Sequence, residues 1–210
     1  MTSVKGRDPA RPGTVLGLKI LVAGGFGVGK TTSIGAVSDF EPLTTEEYLT
    51  EAGTGTDCLD GVEHKSTTTV AMDYGRITLD ITDVPGIDIG IDTLDLHLFG
   101  TPGQERFTGI WYELARGAIG AIVLADTRRL DSSFRVTDFV EQQELPFIVA
   151  LNQFDGAHRY EPEDVRDAFG VGPGIPVMTI DARRRPLVAS ALVTLVTHAL
   201  NHHHNLLDAP

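Results

Sequence analysis

The chain is short of three things, and each shortage removes a class of protein. Cys58 is the one cysteine among 210 residues, so an internal disulfide or a thiolate-rich metal site cannot be built. No apolar run approaches the ~20 residues that cross a bilayer as a helix; AIGAIVLA (118–125) is among the longest. Positive charge is scarce too, with 17 Lys and Arg against 29 Asp and Glu and a formal net charge of −12. Phosphodiester backbones recruit Lys and Arg, so nucleic acid is not an expected partner. The N-terminal residues are polar and do not resemble a secretory signal. No glycine follows Met1 for myristoylation, and the terminal LLDAP carries no prenylation cysteine. The expectation is a cytoplasmic protein with no direct membrane anchor.

Core-forming residues are plentiful, at 41% of the chain, enough for one globular domain. Residues 1–15, rich in Pro and Gly, read as a flexible tail, residues 16–201 as the domain, and 202–210 as a second, solvated tail holding the run HHH (202–204). Compact apolar runs at 18–23, 119–125, 146–152 and 175–180 suit buried strands. Helix-patterned segments at 131–143, 161–170 and 185–201 lie between and after them. In the last, Val188, Ala191, Leu192, Leu195, Val196 and Ala199 form one core-facing stripe. This alternation predicts an α/β fold with a mostly parallel sheet covered on both faces.

The first apolar run ends in Gly24-Gly25-Phe26-Gly27-Val28-Gly29-Lys30-Thr31, an ungapped G-x-x-x-x-G-K-[ST]. A strand before it and a helix after it, opened by Lys30, Thr31 and Thr32, supply the context that a phosphate loop needs. Its backbone N–H groups and the helix N-terminus would cradle a β-phosphate, Lys30 would bridge the β- and γ-phosphates, and Thr31 would place its hydroxyl on Mg²⁺. Beyond the strand at 146–152 stands NQFD, Asn152 to Asp155. A carboxylate there accepts from both guanine N1–H and the exocyclic amine, whereas adenine lacks that donor pair. TIDAR (179–183) follows the next strand, where a backbone N–H would meet the purine oxygen.

On these motifs the chain resembles small Ras-like GTPases from residue 18 to about 200. ERFTGIWYELARGAIGAIVLADTRRLDSSF (105–134) is similar to the Rab type, TPGQ to the bacterial MglA-like branch, and GTPGQERF with RGAIGAIVLADTRRL and DARRR to actinomycete conservon GTPases. The resemblance implies a Ras-like P-loop fold: a mostly parallel six-stranded sheet, helices on both faces, and an extended antiparallel hairpin between the second and third strands. It implies GTP/GDP and Mg²⁺ as ligands, slow hydrolysis, and partners in a Roadblock-type protein and a sensor kinase-like complex that recruits the switch to a membrane. NQFD then stands for the guanine motif, with Gln153 in place of the usual lysine. Asp181, Ala182 and Arg183 take the next base-contacting positions, Ala182 through its N–H. In KSTTTVAMDYG (65–75), Thr69 aligns with the threonine that reaches Mg²⁺ and the γ-phosphate, with Thr67 and Thr68 as rivals. Gly103 would give an N–H to the γ-phosphate and Gln104 would orient the attacking water.

The pattern breaks at Gly100, where the family has the aspartate that holds the metal through water. Asp83-Val84-Pro85-Gly86 offers a rival D-x-P-G, read here as a turn within the long hairpin. Two other readings stand beside the hydrolysing switch: a Ras-shaped scaffold without significant hydrolysis, and a P-loop ATPase or small-molecule kinase.

Overall fold

The computed structural model describes residues 14–49, 68–82, 84, 85, 87, 90–103 and 108–207, with the backbone alone at 45–49, 68–71, 108 and 204–207. The strands are β1 (Val15–Gly24), β2 (Leu43–Leu49), β3 (Thr68–Asp80), β4 (Thr93–Gly100), β5 (Gly120–Ala125), β6 (Phe147–Asn152) and β7 (Val177–Ile180). The helices are α1 (Lys30–Val37), α2 (Thr108–Ala115), α3 (Asp131–Gln142), α4 (Pro162–Phe169) and α5 (Arg185–Leu207). One sheet runs β2-β3-β4-β1-β5-β6-β7. β4, β1, β5, β6 and β7 are mutually parallel, while β3 is antiparallel to both its neighbours. This is the expected Ras-like P-loop architecture with one strand more than the six predicted. The addition is β2, which pairs antiparallel with β3 at the sheet edge.

Alternation along the central strands sorts the core into two halves. Ile20, Val22, Ile122, Leu124, Ile148 and Ala150 face α1 and α5, meeting Ile34, Val37 and the α5 stripe. Leu21, Ala23, Val123, Val149 and Leu151 face the other way, toward Trp111, Val136, Phe139, Val140 and Val165. β5 and β6 are buried along their whole length, as strands covered on both faces must be. All six residues of the α5 stripe are 4% exposed or less.

β3 and β4 form the predicted antiparallel hairpin, in register from Asp73–Gly100 to Asp80–Thr93. Residues 81–92 therefore close it at the Asp80 end. Asp83 and Gly86 lie outside the described residues, while Asp80, where the hairpin's register ends, stands about 23 Å along β3 from Asp73. The expected N-terminal tail falls largely on residues 1–13, outside the described residues. At the other end α5 continues through Leu207, so His202 and His203 sit on its last turns, exposed, rather than in a tail beyond it.

β1 lies between β4 and β5, where the chain's connections diverge to opposite sides of the sheet. The crevice beyond the carboxyl end of such a strand is where open α/β sheets bind ligands. It is also where the glycine-rich loop begins. Leu192, with none of its surface exposed, helps lock α5 onto this part of the sheet. Leu192→Ala is expected to lower the unfolding free energy by about 2–5 kcal/mol, read as a shift of the urea midpoint at unchanged slope.

Candidate nucleotide site

Gly24 ends β1, residues 25–29 turn, and α1 starts at Lys30. Gly29 caps the helix at φ 103°, in the left-handed region, and among the described residues there is no side-chain cap at this end. A Cβ at this position would lie 2.5 Å from Asn152 Nδ2, so both conformation and space require glycine. The loop thus delivers an uncapped helix N-terminus to the crevice, the arrangement that favours an anion. A cavity of about 290 Å³ opens there, lined by Phe26, Gly27, Gly29, Lys30, Thr31, Thr32, Asp73, Thr101 and Gly103.

Lys30 is nearly buried, and its Nζ donates to the carbonyls of Gly24 (2.9 Å) and Gly25 (2.7 Å). Burial pushes its pKa down to about 8, against the opposing pull of Asp73. Gly103 packs close by: a Cβ there would come within 2.9 Å of Lys30 Nζ and 2.7 Å of Phe26 Cα. Trp111 fixes the same segment by donating from Nε1 to the Pro102 carbonyl, 3.0 Å. The Phe26 ring, at the loop tip, is 66% exposed.

Asp73 is the residue that sequence reading passed over. It is buried in β3, and its carboxylate accepts from Thr31 Oγ1 (2.5 Å) and Thr44 Oγ1 (3.1 Å). Its register partner is Gly100, the position where the aspartate was missing. A Cβ on Gly100 would lie 3.1 Å from the Asp73 Cβ and 3.2 Å from its Oδ2. An acid thus stands one strand over from position 100, and the glycine makes the room. The signal was present in TVAMDY, where an acid follows Thr69 by four residues. Thr69 itself stands in β3 opposite Tyr48 of β2, about 13 Å along the strand from Asp73, and its side chain lies outside the described residues. Gln104 lies outside the described residues.

Thr31 and Asp73 offer the hard oxygen donors that Mg²⁺ requires. Thr101 supplies a further observation, since its Oγ1 is buried without a hydrogen-bond partner among the described residues, and the residue lines the same cavity. A buried hydroxyl left alone is costly, and a hydrated cation would give it a partner. The residues present therefore fit the metal.

The base-side residues come together at the ends of β6 and β7. Asn152, buried, donates from Nδ2 to the Val28 carbonyl and accepts at Oδ1 from the Ala182 N–H, both 2.9 Å. The N–H that was expected to meet a purine oxygen is thus donated to Asn152. Asp155 is exposed and pairs with Arg183, which also pairs with Asp181. Gln153 anchors its loop by donating its backbone N–H to the Ile180 carbonyl, 2.8 Å. Two arginines escaped sequence reading. Arg128 pairs with fully buried Asp126 and lies 3.8 Å over the Phe154 ring, steadying the NQFD turn. Arg129 donates to the Phe26 carbonyl at 3.1 Å, touching the phosphate loop from outside.

Comparison with known proteins gives a consistent picture. Residues 22–202 match the model of a family described as conserved hypothetical ATP binding protein. Over 201 residues the chain is 25% identical to human Ras-related protein Rab-7b, covering 91% of this chain and 86% of that one. The cattle (Bos taurus) Rab-7b is likewise 25% identical, over 202 residues and with the same coverage. The uncharacterized protein MJ1339 of Methanocaldococcus jannaschii is 27% identical over 140 residues, 66% of this chain and 71% of its own.

Lys30 generates a pH prediction. Its pKa in the fold, about 8, lies below the ordinary 10.5, so unfolding takes up a proton between these values. The group's contribution to stability is therefore lowest below pH 8 and recovers as pH rises toward 10.5. A polyphosphate favours the ammonium form, so binding near pH 8 should take up about half a proton and affinity should fall above that pH. Calorimetry in two buffers of different ionisation heat reads the uptake, which Lys30→Met should abolish.

Proposed function

The chain belongs to the family of conserved hypothetical ATP-binding proteins, and within it we propose a Ras-like switch that binds guanine nucleotide and hydrolyses GTP slowly. The observation that carries the reading is the buried Asp73 carboxylate on the Thr31 hydroxyl, opposite Gly100. Without it, the loss of the aspartate at position 100 would favour an inert scaffold. With it, the phosphate loop regains an acid beside its threonine.

In this reading Lys30 turns from its loop carbonyls to the β- and γ-phosphates, and the N–H groups of residues 25–31 cradle the phosphates. Thr31 and Asp73 would hold Mg²⁺, and the ion would supply positive charge to the phosphate oxygens during transfer. Gly103 gives its N–H to the γ-phosphate, and Gln104 orients the attacking water. Asp155 reads the guanine edge, Asn152 holds the base loop to the phosphate loop, and Asp181 and Arg183 flank the base. The reading keeps residues 16–201 as the nucleotide domain. The likeness to conservon GTPases extends it to a Roadblock-type partner and a sensor kinase-like complex at a membrane.

The family's description favours a second reading, in which the base is adenine. Adenine offers its exocyclic amine beside an acceptor nitrogen, so it cannot satisfy both oxygens of Asp155 as guanine can. Competition of GDP and ADP for the purified chain decides between them. GDP is expected to win by orders of magnitude, and preference for ADP would sink the guanine reading.

Phosphate release from GTP in a single turnover should exceed that of Lys30→Ala; equal rates would favour the scaffold. Asp73→Ala should weaken the Mg²⁺-dependent part of nucleotide affinity by about 10–100-fold. Adding Gly100→Asp to the Asp73→Ala chain should restore much of it, because the acid returns to the neighbouring strand and the crowding at Asp73 is gone. Failure of the exchange would place the metal elsewhere.

A further inference from the structure

Asp155, on which guanine recognition rests, has both carboxylate oxygens engaged. Arg183 Nη1 donates to Oδ2 at 2.9 Å and Nη2 to Oδ1 at 3.2 Å. Two side-by-side N–H donors on a planar frame, one to each oxygen, are also what guanine presents through N1–H and its exocyclic amine. The guanidinium thus occupies the carboxylate with the donor pattern of the purine edge.

A second carboxylate holds the same arginine in position. Arg183 Nε donates to Asp181 Oδ1 at 2.9 Å and Nη2 to Asp181 Oδ2 at 3.0 Å, while the Arg183 backbone N–H reaches Asp181 Oδ1 at 3.0 Å. These bonds hold both acids below the ordinary carboxylate range. No core packing depends on the arrangement, since the side chains of Arg183 and Asp155 are 56% and 85% exposed. It is a solvent-facing latch laid over a recognition group.

We propose that Arg183 is an internal stand-in for guanine: it holds Asp155 while the base site is empty and is displaced when a guanine nucleotide binds. The inference rests on the guanine reading above and adds to it a control over nucleotide loading. The displaced guanidinium keeps Asp181, so it pivots on that acid instead of swinging free. A base offering one donor to Asp155 competes poorly against a bidentate arginine, so the latch also sharpens discrimination against adenine. Because the pair is exposed, its weight is modest, about two- to fivefold in rate, and salt screens it.

Stopped-flow binding of a fluorescent GDP to the full chain tests this. Arg183→Ala and Arg183→Gln should each load about two- to fivefold faster than the parent at low salt, with the difference closing as salt rises. A second readout separates a latch from a merely structural arginine. Asp155→Asn leaves no carboxylate to hold, and its amide can donate to the C2 oxygen of xanthine. With xanthosine diphosphate and this variant, removing Arg183 should no longer give the salt-dependent acceleration seen in the parent, and the same acceleration there would overturn the latch. Unchanged or slower GDP loading by both Arg183 variants overturns the latch and leaves guanine binding intact. A parent chain that takes up no guanine nucleotide overturns both.

Discussion

One buried amide sets the spacing of the whole site. Asn152 ties the Val28 carbonyl to the Ala182 N–H, so the phosphate loop and the loop after β7 cannot separate without stranding polar groups in the interior. The tie works only because Gly29 lacks a Cβ where the amide passes. A glycine in one loop, an amide at the end of β6 and a backbone N–H beyond β7 form a single unit, anchored on parallel strands buried on both faces. Ligand groups at opposite ends of a nucleotide are thereby held in a fixed relation by the core.

The pairing of Asp73 on β3 with Gly100 on β4 shows how a sheet can present one carboxylate from either of two strands. Residues opposite each other on adjacent strands are near neighbours, so a carboxylate on either can reach the same hydroxyl. The short distances from the Gly100 backbone to Asp73 show why both strands cannot carry a bulky residue there. Lys30, also buried, supplies the compensating positive charge. Buried like and unlike charges make such positions interdependent, and the neighbouring strand must be read along with the motif.

Much of this was legible in the sequence, for identifiable reasons. The phosphate loop combines a spacing with a strand–helix context, and the α5 stripe repeats at a period that only a helix satisfies. β5 and β6 announce themselves as short apolar runs. β2 did not, because LTTEEYL is rich in polar residues and holds no apolar run to betray it. Thr69 attracted attention through its place in a family pattern, whereas the contact with Thr31 belongs to Asp73, whose importance depends on cross-strand register. The bond from the Ala182 N–H to the Asn152 oxygen spans 30 residues of chain and has no local signal. The arginine over Phe154 likewise depends on a long-range approach that no local spacing encodes.

Thr44 gives Asp73 a further consequence. It stands on the outermost strand and grips one oxygen of Asp73, while Thr31 at the helix start grips the other. A threonine in Gly100's strand would have tethered the acid to the sheet's interior; here the tether runs to its rim. Any rotation of that carboxylate therefore tugs on a strand whose far side has no neighbour in the sheet among the described residues, so what happens in the cavity is mechanically wired to the sheet's margin.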